Sequence, residues 1–288
     1  MTSSASKSVL KTIAKCLLEP STKNVVVLAG AGISTPSGLP DFRSKTTGLY
    51  DSITDLPDPH LVFDIDYFRI NPKPFFKVAQ KLYPGEYAPN EAHWFVKVLQ
   101  EKNKLLRMYT QNIDGLETLA GISSERLIEA HGTFATATCQ ACGKKYNADD
   151  IRDRIFDGEV PECDKCNHVI KPDVVFFGEM LPKRFMRHLV DMPLADLVIV
   201  MGTSLEVYPF SFIVDSSRPS VPRLLINNVA VGSFVMAPRQ NDAVYEGDIV
   251  EGVRALAEAC DWLTDIDALG RTYSAQQKPS TTSDRHRA

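Results

Sequence analysis

Four of the six cysteines in this chain of 288 residues form two Cys-x-x-Cys pairs, Cys139 with Cys142 and Cys163 with Cys166. Two such pairs at this separation are typical of a site that binds one Zn²⁺ tetrahedrally through four sulfurs. Because the protein would supply all four ligands, no position is left for water or substrate. We therefore predict one structural zinc per chain, holding a small module that has few apolar residues. The alternative is that all four are free thiols.

Other reactive groups follow apolar segments. Asp41-Phe42-Arg43 places an acid, an aromatic ring and a guanidinium in three consecutive positions. Gln111-Asn112-Ile113-Asp114 ends an apolar segment with two amides and a carboxylate. His131 lies at a polar strand exit beside Gly132, and an imidazole with a pKa near 6.5 suits a base at neutral pH. This placement makes His131 the candidate general base.

The apolar run 24–29 is rich in β-branched residues, which predicts a parallel strand buried on both faces. Gly30 and Gly32 follow it directly. Glycines here can adopt a positive φ and have no Cβ, so a phosphate oxygen could approach the backbone N–H groups. We therefore predict a dinucleotide-binding loop, although the third glycine comes only at Gly38. A plain strand-to-helix turn is the alternative.

Further elements must position these groups. We predict strands at 24–29, 105–109, 127–130, 171–179, 196–201 and 223–226. We predict helices at 8–18, 62–68, 74–82, from 90 onward and at 249–259, and a mobile loop at 46–55. Alternation of strands and helices predicts an α/β fold built on a parallel, doubly wound sheet.

Composition excludes several classes of protein. The net charge of −4 argues against a general nucleic-acid binder, and no apolar run is long enough to span a membrane. The first 23 residues contain no arginine and have apolar residues at helical spacing, which favours a packed helix over a transit peptide. We therefore expect a cytoplasmic or nuclear protein rather than a mitochondrial one.

Taken together, Gly30-Ala31-Gly32-Ile33-Ser34, Gly38-Leu39-Pro40-Asp41-Phe42-Arg43, Gln111–Asp114 and His131-Gly132-Thr133-Phe134 resemble the motifs of the sirtuins, the NAD-dependent protein-lysine deacylases. The resemblance covers about 9–263. It implies a Rossmann-like NAD-binding domain made of 1–55, 93–136 and 171–268. A smaller discontinuous domain would comprise a helical insertion at 56–92 and the zinc-binding module at 137–170. The composition from residue 274 onward further predicts a disordered tail, which we place at 269–288.

The resemblance also assigns roles. His131 would be the base that deprotonates a ribose hydroxyl of NAD, with Gln111 and Asn112 as further catalytic residues. The residues implied to bind NAD are Gly30, Ala31, Gly32, Ser34, Asp41, Phe42, Arg43, Tyr50, Gln111, Asn112, Ile113, Asp114, His131, Gly202, Thr203, Ser204, Asn227, Asp248 and Ile249. The family commonly continues after the residue matching Asn227 with a basic and then an acidic residue, whereas this chain has Asn228 and Val229.

The implied reaction releases nicotinamide and transfers the acyl group of a modified lysine to ADP-ribose. The residues implied to bind the substrate are Val175, Phe176, Phe177, Gly178, Glu179, Phe63 and Phe75, of which the last two could equally be core residues. Sirtuins that prefer succinyl- or malonyl-lysine carry Tyr-x-x-Arg in the helical insertion. No arginine stands three positions after Tyr67, so acetyl and longer neutral acyl groups are favoured.

Acetylated proteins are therefore the expected partners, with histones or tubulin-like proteins as candidates and neither membrane nor nucleic acid as a partner. Three other functions remain open. A protein mono-ADP-ribosyltransferase would use the same NAD bond, and a hydride-transfer dehydrogenase would share the fold. A zinc-ribbon module that binds nucleic acid is disfavoured by the sparse basic residues between the cysteine pairs.

Overall fold

The computed structural model describes residues 4–42, 48–83, 85 and 87–277. The strands are β1 (Val25–Ala29), β2 (Leu105–Thr110), β3 (Leu127–Glu129), β4 (Gly132–Cys139), β5 (Lys145–Asn147), β6 (Ile170–Val174), β7 (Leu197–Met201), β8 (Arg223–Asn227) and β9 (Asp242–Glu246). The helices are α1 (Ser4–Leu18), α2 (Ile65–Ile70), α3 (Lys73–Leu82), α4 (Glu91–Glu101), α5 (Leu116–Leu119), α6 (Ala148–Phe156), α7 (His188–Leu194), α8 (Ser233–Met236), α9 (Ile249–Ala259) and α10 (Leu263–Gln276). Several short 3₁₀ helices connect them.

Six strands form one parallel sheet in the order β3-β2-β1-β7-β8-β9. Both faces of this sheet are covered, as the β-branched run predicts. Successive residues of β1 therefore pack into two different apolar clusters, Val25 and Val27 on one face and Val26 and Leu28 on the other. This arrangement confirms the predicted fold class, a Rossmann-like doubly wound sheet.

The order of strands reverses at β1, because the chain first adds β2 and β3 on one side and later adds β7, β8 and β9 on the other. In sheets of this kind, ligands bind beyond the carboxyl ends of the strands at such a reversal. The loops that follow β1, β2 and β7 begin at Gly30, Gln111 and Gly202. The topology therefore brings three of the predicted motifs to one edge of the sheet.

A second sheet is small and antiparallel, with the order β5-β4-β6. It packs with α2, α3 and α6 around a separate apolar cluster that includes Phe75, Phe134 and Ile155. Tyr83 Oη, just after α3, donates a hydrogen bond of 2.8 Å to the carbonyl of Ala148 in α6. The helical insertion and the cysteine-bearing segment therefore share one core.

Three predictions about elements need correction. The segment 171–179 is not a strand of the parallel sheet, because β6 ends at Val174 and pairs with β4 in the antiparallel sheet. The parallel sheet also has an unpredicted edge strand, β9, in which Ala243 and Tyr245 are buried whereas Asp242, Val244 and Glu246 are more exposed. Finally, α10 continues to Gln276, so 269–276 is helical, although the composition suggested a disordered tail. Residues 278–288 lie outside the described part.

Other predicted elements are confirmed with small shifts. Helix α1 buries Leu10, Ile13 and Leu17 and packs against α9 and β9. The predicted helix at 62–68 is divided into a 3₁₀ helix (Pro59–Phe63) and α2, because Asp64 caps α2 by accepting a hydrogen bond from the N–H of Tyr67. Of the predicted mobile loop at 46–55, residues 46 and 47 lie outside the described residues, and Tyr50–Ser52 form a 3₁₀ helix. None of the helices described in the structure is long and apolar enough to cross a bilayer.

Candidate active site

A cavity with a volume of about 590 Å³ lies where the loops after β1, β2 and β7 meet. Its wall contains nineteen of the residues predicted to bind NAD or substrate: Ala31, Gly32, Asp41, Phe42, Tyr50, Phe63, Gln111, Asn112, Ile113, His131, Val175, Phe176, Phe177, Gly178, Glu179, Gly202, Thr203, Ser204 and Asn227. The cavity falls in the size range of small-ligand sites. Residues from distant parts of the sequence thus converge on one pocket.

Gly30 and Gly32 act through close packing, and the prediction that they use a positive φ is wrong. Gly30 is extended, with φ −133° and ψ −171°. A Cβ on Gly32 would lie 2.7 Å from the Cα of Gly202, and one on Gly30 would lie 2.7 Å from the Cβ of Thr203. The N–H of Gly32 donates a hydrogen bond of 2.8 Å to the carbonyl of Gly202. The glycines therefore let the β1 and β7 loops touch.

The side chain of Gln111 links the β2 loop to the β7 loop. Its Oε1 accepts a hydrogen bond of 2.7 Å from the hydroxyl of Thr203. Its backbone N–H donates to the carbonyl of Ala29, the last residue of β1. Gln111 is thus held by both neighbouring loops, and its amide nitrogen is the group left to donate towards a ligand.

His131 Nδ1 lies 3.1 Å from the carbonyl oxygen of Gln111. Because a carbonyl only accepts hydrogen bonds, this contact places the proton of the neutral imidazole on Nδ1 and makes Nε2 the basic nitrogen. The next residue, Gly132, has a φ of +77°, and a Cβ there would lie 2.0 Å from the carbonyl oxygen of Asp173. Only glycine therefore allows β4 to pair with β6 directly beside the imidazole.

A buried network lies behind the cavity wall. Ser34 Oγ donates a hydrogen bond of 2.7 Å to Asp114 and accepts one of 3.2 Å from the side chain of Asn112. Asp114 also accepts from the N–H of Leu116, at 2.9 Å. Neither Ser34 nor Asp114 lines the cavity. Ser34 thus holds Asn112, and Asp114 holds Ser34. Burial raises the pKa of Asp114 above its ordinary value.

Glu117, which sequence analysis missed, lies in the same region. It is 1% exposed, and its Oε1 has no hydrogen-bond partner among the described residues. Burial, assisted by the nearby charge of Asp114, raises the pKa of Glu117 to about 8. An acid within the apolar pattern of Leu116 and Leu119 was the available signal.

Aromatic rings cover the other side of the cavity. Phe42 lies 5.9 Å from both Tyr50 and Phe63, measured between ring centroids, and Phe63 lies 5.8 Å from Phe176. Phe75, by contrast, is 1% exposed and does not line the cavity. It packs against Phe63 and Phe176 from behind, so it belongs to the core, the alternative that the sequence left open.

The segment 175–179, which we call the substrate-side segment, follows β6 along the cavity wall. The N–H of Val175 donates to the carbonyl of His131 at 2.8 Å, and the N–H of Phe177 donates to the carbonyl of Phe63 at 2.7 Å. The carbonyl of Phe177 accepts from the N–H of Ile65. The helical insertion and the imidazole-bearing strand thus hold this segment from two sides.

Glu179 has a positioning role in this segment. Its carboxylate accepts a hydrogen bond of 2.8 Å from the N–H of Phe176 and lies 3.0 Å from the ammonium group of Lys171. Lys171 is 3% exposed, donates to the carbonyl of Val174 at 2.6 Å and lies 4.3 Å from the ring centroid of Phe176. Burial lowers the pKa of Lys171, and the charge of Glu179 opposes that shift.

The remaining predicted residues lie elsewhere. Asp248 caps α9 by accepting hydrogen bonds from Val250 and Glu251, and Ile249 is buried in the core, so neither lines the cavity. Gly30 also lies outside the wall, and Arg43 falls outside the described residues. The wall includes further residues that sequence analysis did not single out as binding residues: Val174, Leu181, Glu206, Val207, Tyr208, Pro209, Asn228, Val229 and Val231. Most follow β7 or β8, where the topology alone could have placed them.

The four cysteines of the two pairs converge at the far end of the small sheet. Their sulfur atoms all lie within 4.8 Å of one another, with Cys139 Sγ 3.4 Å from Cys166 Sγ and Cys142 Sγ 3.6 Å from Cys163 Sγ. Tetrahedral zinc with bonds of about 2.3 Å requires sulfurs about 3.8 Å apart. The sulfur positions therefore fit one Zn²⁺.

Comparison with known proteins agrees with this geometry. The model of the family described as Sir2 matches residues 30–209, a range that includes His131 and all four clustered cysteines. The chain belongs to the Sir2 family. This sirtuin is 49% identical over 266 residues to NAD-dependent protein deacetylase sirtuin-3 of Mus musculus, an alignment that covers 92% of this chain and 80% of that protein.

Two further relatives are similar over comparable lengths. NAD-dependent protein deacetylase sirtuin-2 of Danio rerio is 42% identical over 280 residues, covering 90% of this chain and 74% of that protein. NAD-dependent protein deacetylase hst2-1 of Emericella nidulans is 47% identical over 271 residues, covering 93% of this chain and 74% of that protein. The family resemblance in the sequence motifs is thereby confirmed.

Proposed function

We infer that this sirtuin is an NAD-dependent protein-lysine deacetylase. The observation that carries the inference is the orientation of His131, whose Nδ1 bonds to the Gln111 carbonyl in the cavity where the β1, β2 and β7 loops meet. Relatives at 42–49% identity bear the name NAD-dependent protein deacetylase. The acetyl group would be transferred to ADP-ribose, with release of nicotinamide.

Different parts of the cavity would bind different parts of NAD. The N–H groups of Gly32 and Gly202 are already bonded within the protein, so the neighbouring lining residues Ala31, Thr203 and Ser204 would offer backbone N–H groups to a pyrophosphate. Asn112 offers an amide for the nicotinamide end. Bound NAD supplies a sugar carbon that carries nicotinamide as its leaving group. His131 Nε2 then accepts a proton from a ribose hydroxyl, while the Gln111 carbonyl keeps the imidazole in the reactive tautomer.

The aromatic side chains of the cavity wall would exclude water. Phe42, Tyr50 and Phe63 enclose one side of the cavity with apolar rings, which protects a reacting sugar from hydrolysis. We further propose that Phe63 and Phe176 contact the acetyl group of the substrate. The peptide around the modified lysine would pair with the substrate-side segment through its remaining backbone groups.

A single zinc, held by the four clustered cysteines, would be structural. The ligand set is complete without water, so the metal cannot offer a position to the substrate. One of its ligands, Cys139, is the last residue of β4, the strand that begins immediately after His131, so metal binding would help to fix the position of that strand. This arrangement links the metal to activity without giving it a catalytic role.

We also propose that the protein acts in the cytoplasm or nucleus on acetylated proteins, with histones and tubulin-like proteins as the first candidates. Four reduced cysteines that bind zinc suit a reducing compartment. Imaging of the tagged full-length chain tests the compartment. A proteomic comparison of acetylated lysines in cells with and without the protein tests the substrates.

The function is tested by incubating the protein with NAD and an acetyl-lysine peptide and following all products by mass spectrometry. We expect one nicotinamide released for each acetyl group removed, and we expect H131A to abolish both. H188A is a matched control, because His188 also bonds through Nδ1 to a backbone carbonyl, that of Phe185, but does not line the cavity. Formation of NADH would indicate a dehydrogenase, and ADP-ribose attached to protein would indicate a mono-ADP-ribosyltransferase.

A further inference from the structure

A second cavity, with a volume of about 680 Å³, lies near the amino ends of β2 and β3, at the opposite edge of the sheet from the candidate active site. We call it the basic pocket. It is lined by five cationic side chains, one carboxylate and one leucine: Arg107, Arg126, Lys183, Arg184, Arg187, Glu125 and Leu106. Such a concentration of positive charge is unusual in a chain whose net charge is −4.

Most of this charge is not neutralised by the protein. Arg107 is buried and forms an ion pair with Asp191, at 2.8 Å. The other four cations have no carboxylate within ion-pair distance in the part of the chain that the structure describes, although Arg184 acts at longer range on Glu129. The pocket therefore keeps about four positive charges opposite the single carboxylate of Glu125.

Backbone carbonyls hold two of the guanidinium groups in place. Arg126 donates to the carbonyl of Leu105, and Arg184 donates to the carbonyl of Ser124 at 2.6 Å. A carbonyl fixes the orientation of a guanidinium but carries no net charge, so it leaves the cation uncompensated. Each guanidinium has five N–H donors, and these contacts use only some of them. The groups are therefore pre-oriented and still able to bind.

We propose that the basic pocket binds a small anion that carries two or more phosphate groups. Guanidinium groups match the geometry of phosphate oxygens and can donate paired hydrogen bonds to them. The volume suits a small molecule, and several converging cations favour an anion of multiple charge over a single carboxylate or phosphate. The site is distinct from the NAD cavity, because the two cavities share no lining residue.

Isothermal titration of the full-length protein with inorganic tripolyphosphate tests the proposal, and charge reversal in the basic pocket separates this site from the NAD cavity. The variant K183E/R187E reverses two charges whose side chains have no carboxylate partner in the described structure, so it is not expected to disturb the fold. The matched control, K11E/K15E, makes the same change of charge on the exposed face of α1.

We expect the wild-type protein and K11E/K15E to bind one tripolyphosphate with equal affinity. K183E/R187E should bind at least about tenfold more weakly, since two attractive charges become repulsive. Orthophosphate should also bind at least about tenfold more weakly than tripolyphosphate. The affinities of ATP and tripolyphosphate are then compared. Tighter binding of ATP would indicate a nucleotide ligand, and tighter binding of tripolyphosphate would indicate recognition of the phosphate chain alone.

Equal affinity of K183E/R187E and the wild-type protein would overturn the proposal. So would equal binding of orthophosphate and tripolyphosphate. Deacetylation by K183E/R187E without added phosphate should match that of the wild-type protein, which separates this test from the test of the proposed function.

Discussion

Replacement of Glu179 by alanine should both destabilise the protein and weaken peptide binding. The carboxylate of Glu179 lies 3.0 Å from the buried ammonium group of Lys171 and accepts the N–H of Phe176. Alanine would leave Lys171 charged at 4% side-chain exposure, with carbonyl oxygens and a ring in contact and the carboxylate of Asp173 at longer range. The N–H of Phe176 would lose its acceptor at the same time.

The magnitude follows from the burial of the pair. Removal of one partner from a fully buried ion pair costs about 3–5 kcal/mol of unfolding free energy. The Glu179 side chain is 28% exposed, so water can replace part of its contribution, and we expect a loss of about 2–3 kcal/mol. E179Q keeps an acceptor for Phe176 and should lose only about 1 kcal/mol.

Urea unfolding and steady-state kinetics measure the two effects. We expect the KM for an acetylated peptide to rise about fivefold or more in E179A, because the displaced substrate-side segment no longer pairs well with the peptide. The KM for NAD should change less than about twofold. E159A is the control, since Glu159 pairs with Arg154 at the surface and its loss should cost at most about 1 kcal/mol.

A double-mutant cycle with K171M and E179Q then isolates the interaction between the two side chains, and we expect a coupling energy of about 1–3 kcal/mol. The reasoning would be refuted by a coupling near zero together with an unchanged KM for the peptide in E179A. That result would mean that solvent already separates the two charges.

Three further predictions concern the folded scaffold. G132A should lose several kcal/mol of unfolding free energy and most of its kcat, because the new methyl group would overlap the carbonyl of Asp173. The control, G158A, is also at positive φ but in open space, so it should lose only about 1–2 kcal/mol. Chelation should release one zinc per chain, measured by atomic absorption, and should lower both the melting temperature and the activity. Added zinc should restore both. Full activity in the metal-free protein would contradict a structural role. Glu117 keeps its proton in the folded state up to about pH 8 but loses it near pH 4.5 when unfolded. The unfolding free energy of the wild-type protein should therefore fall between these pH values relative to that of E117Q. Melting temperatures of the two proteins that change equally with pH across this range would contradict the raised pKa.

The inner strands could be predicted because burial on both faces leaves a continuous apolar run. The outer strand β9 could not, since Asp242-Ala-Val-Tyr-Glu246 has only three consecutive apolar residues between two acids, a run too short to indicate a strand. The segment 171–179 misled the analysis for a different reason. Its apolar residues pack against the helical insertion and the cavity, and an apolar run does not reveal which sheet will cover it.

The site was predictable where the chemistry depends on residue type. Cysteine spacing indicated the zinc cluster, and the position of His131 after an apolar strand indicated the cavity edge. The roles of Gly32 and Lys171 depend on partners far away in the chain, Gly202 for the first and the carboxylate of Glu179 for the second. Such roles arise from three-dimensional contacts, and one sequence carries no direct signal of them.

The docking of α1 bears on how the chain folds during synthesis. The apolar face of this amphipathic helix packs against β9 and α9, which are synthesised more than 200 residues after it. Until then, Leu10, Ile13 and Leu17 lack these two elements of their native surroundings. A nascent chain in this condition offers chaperones an early binding segment, and completion of the sheet releases it.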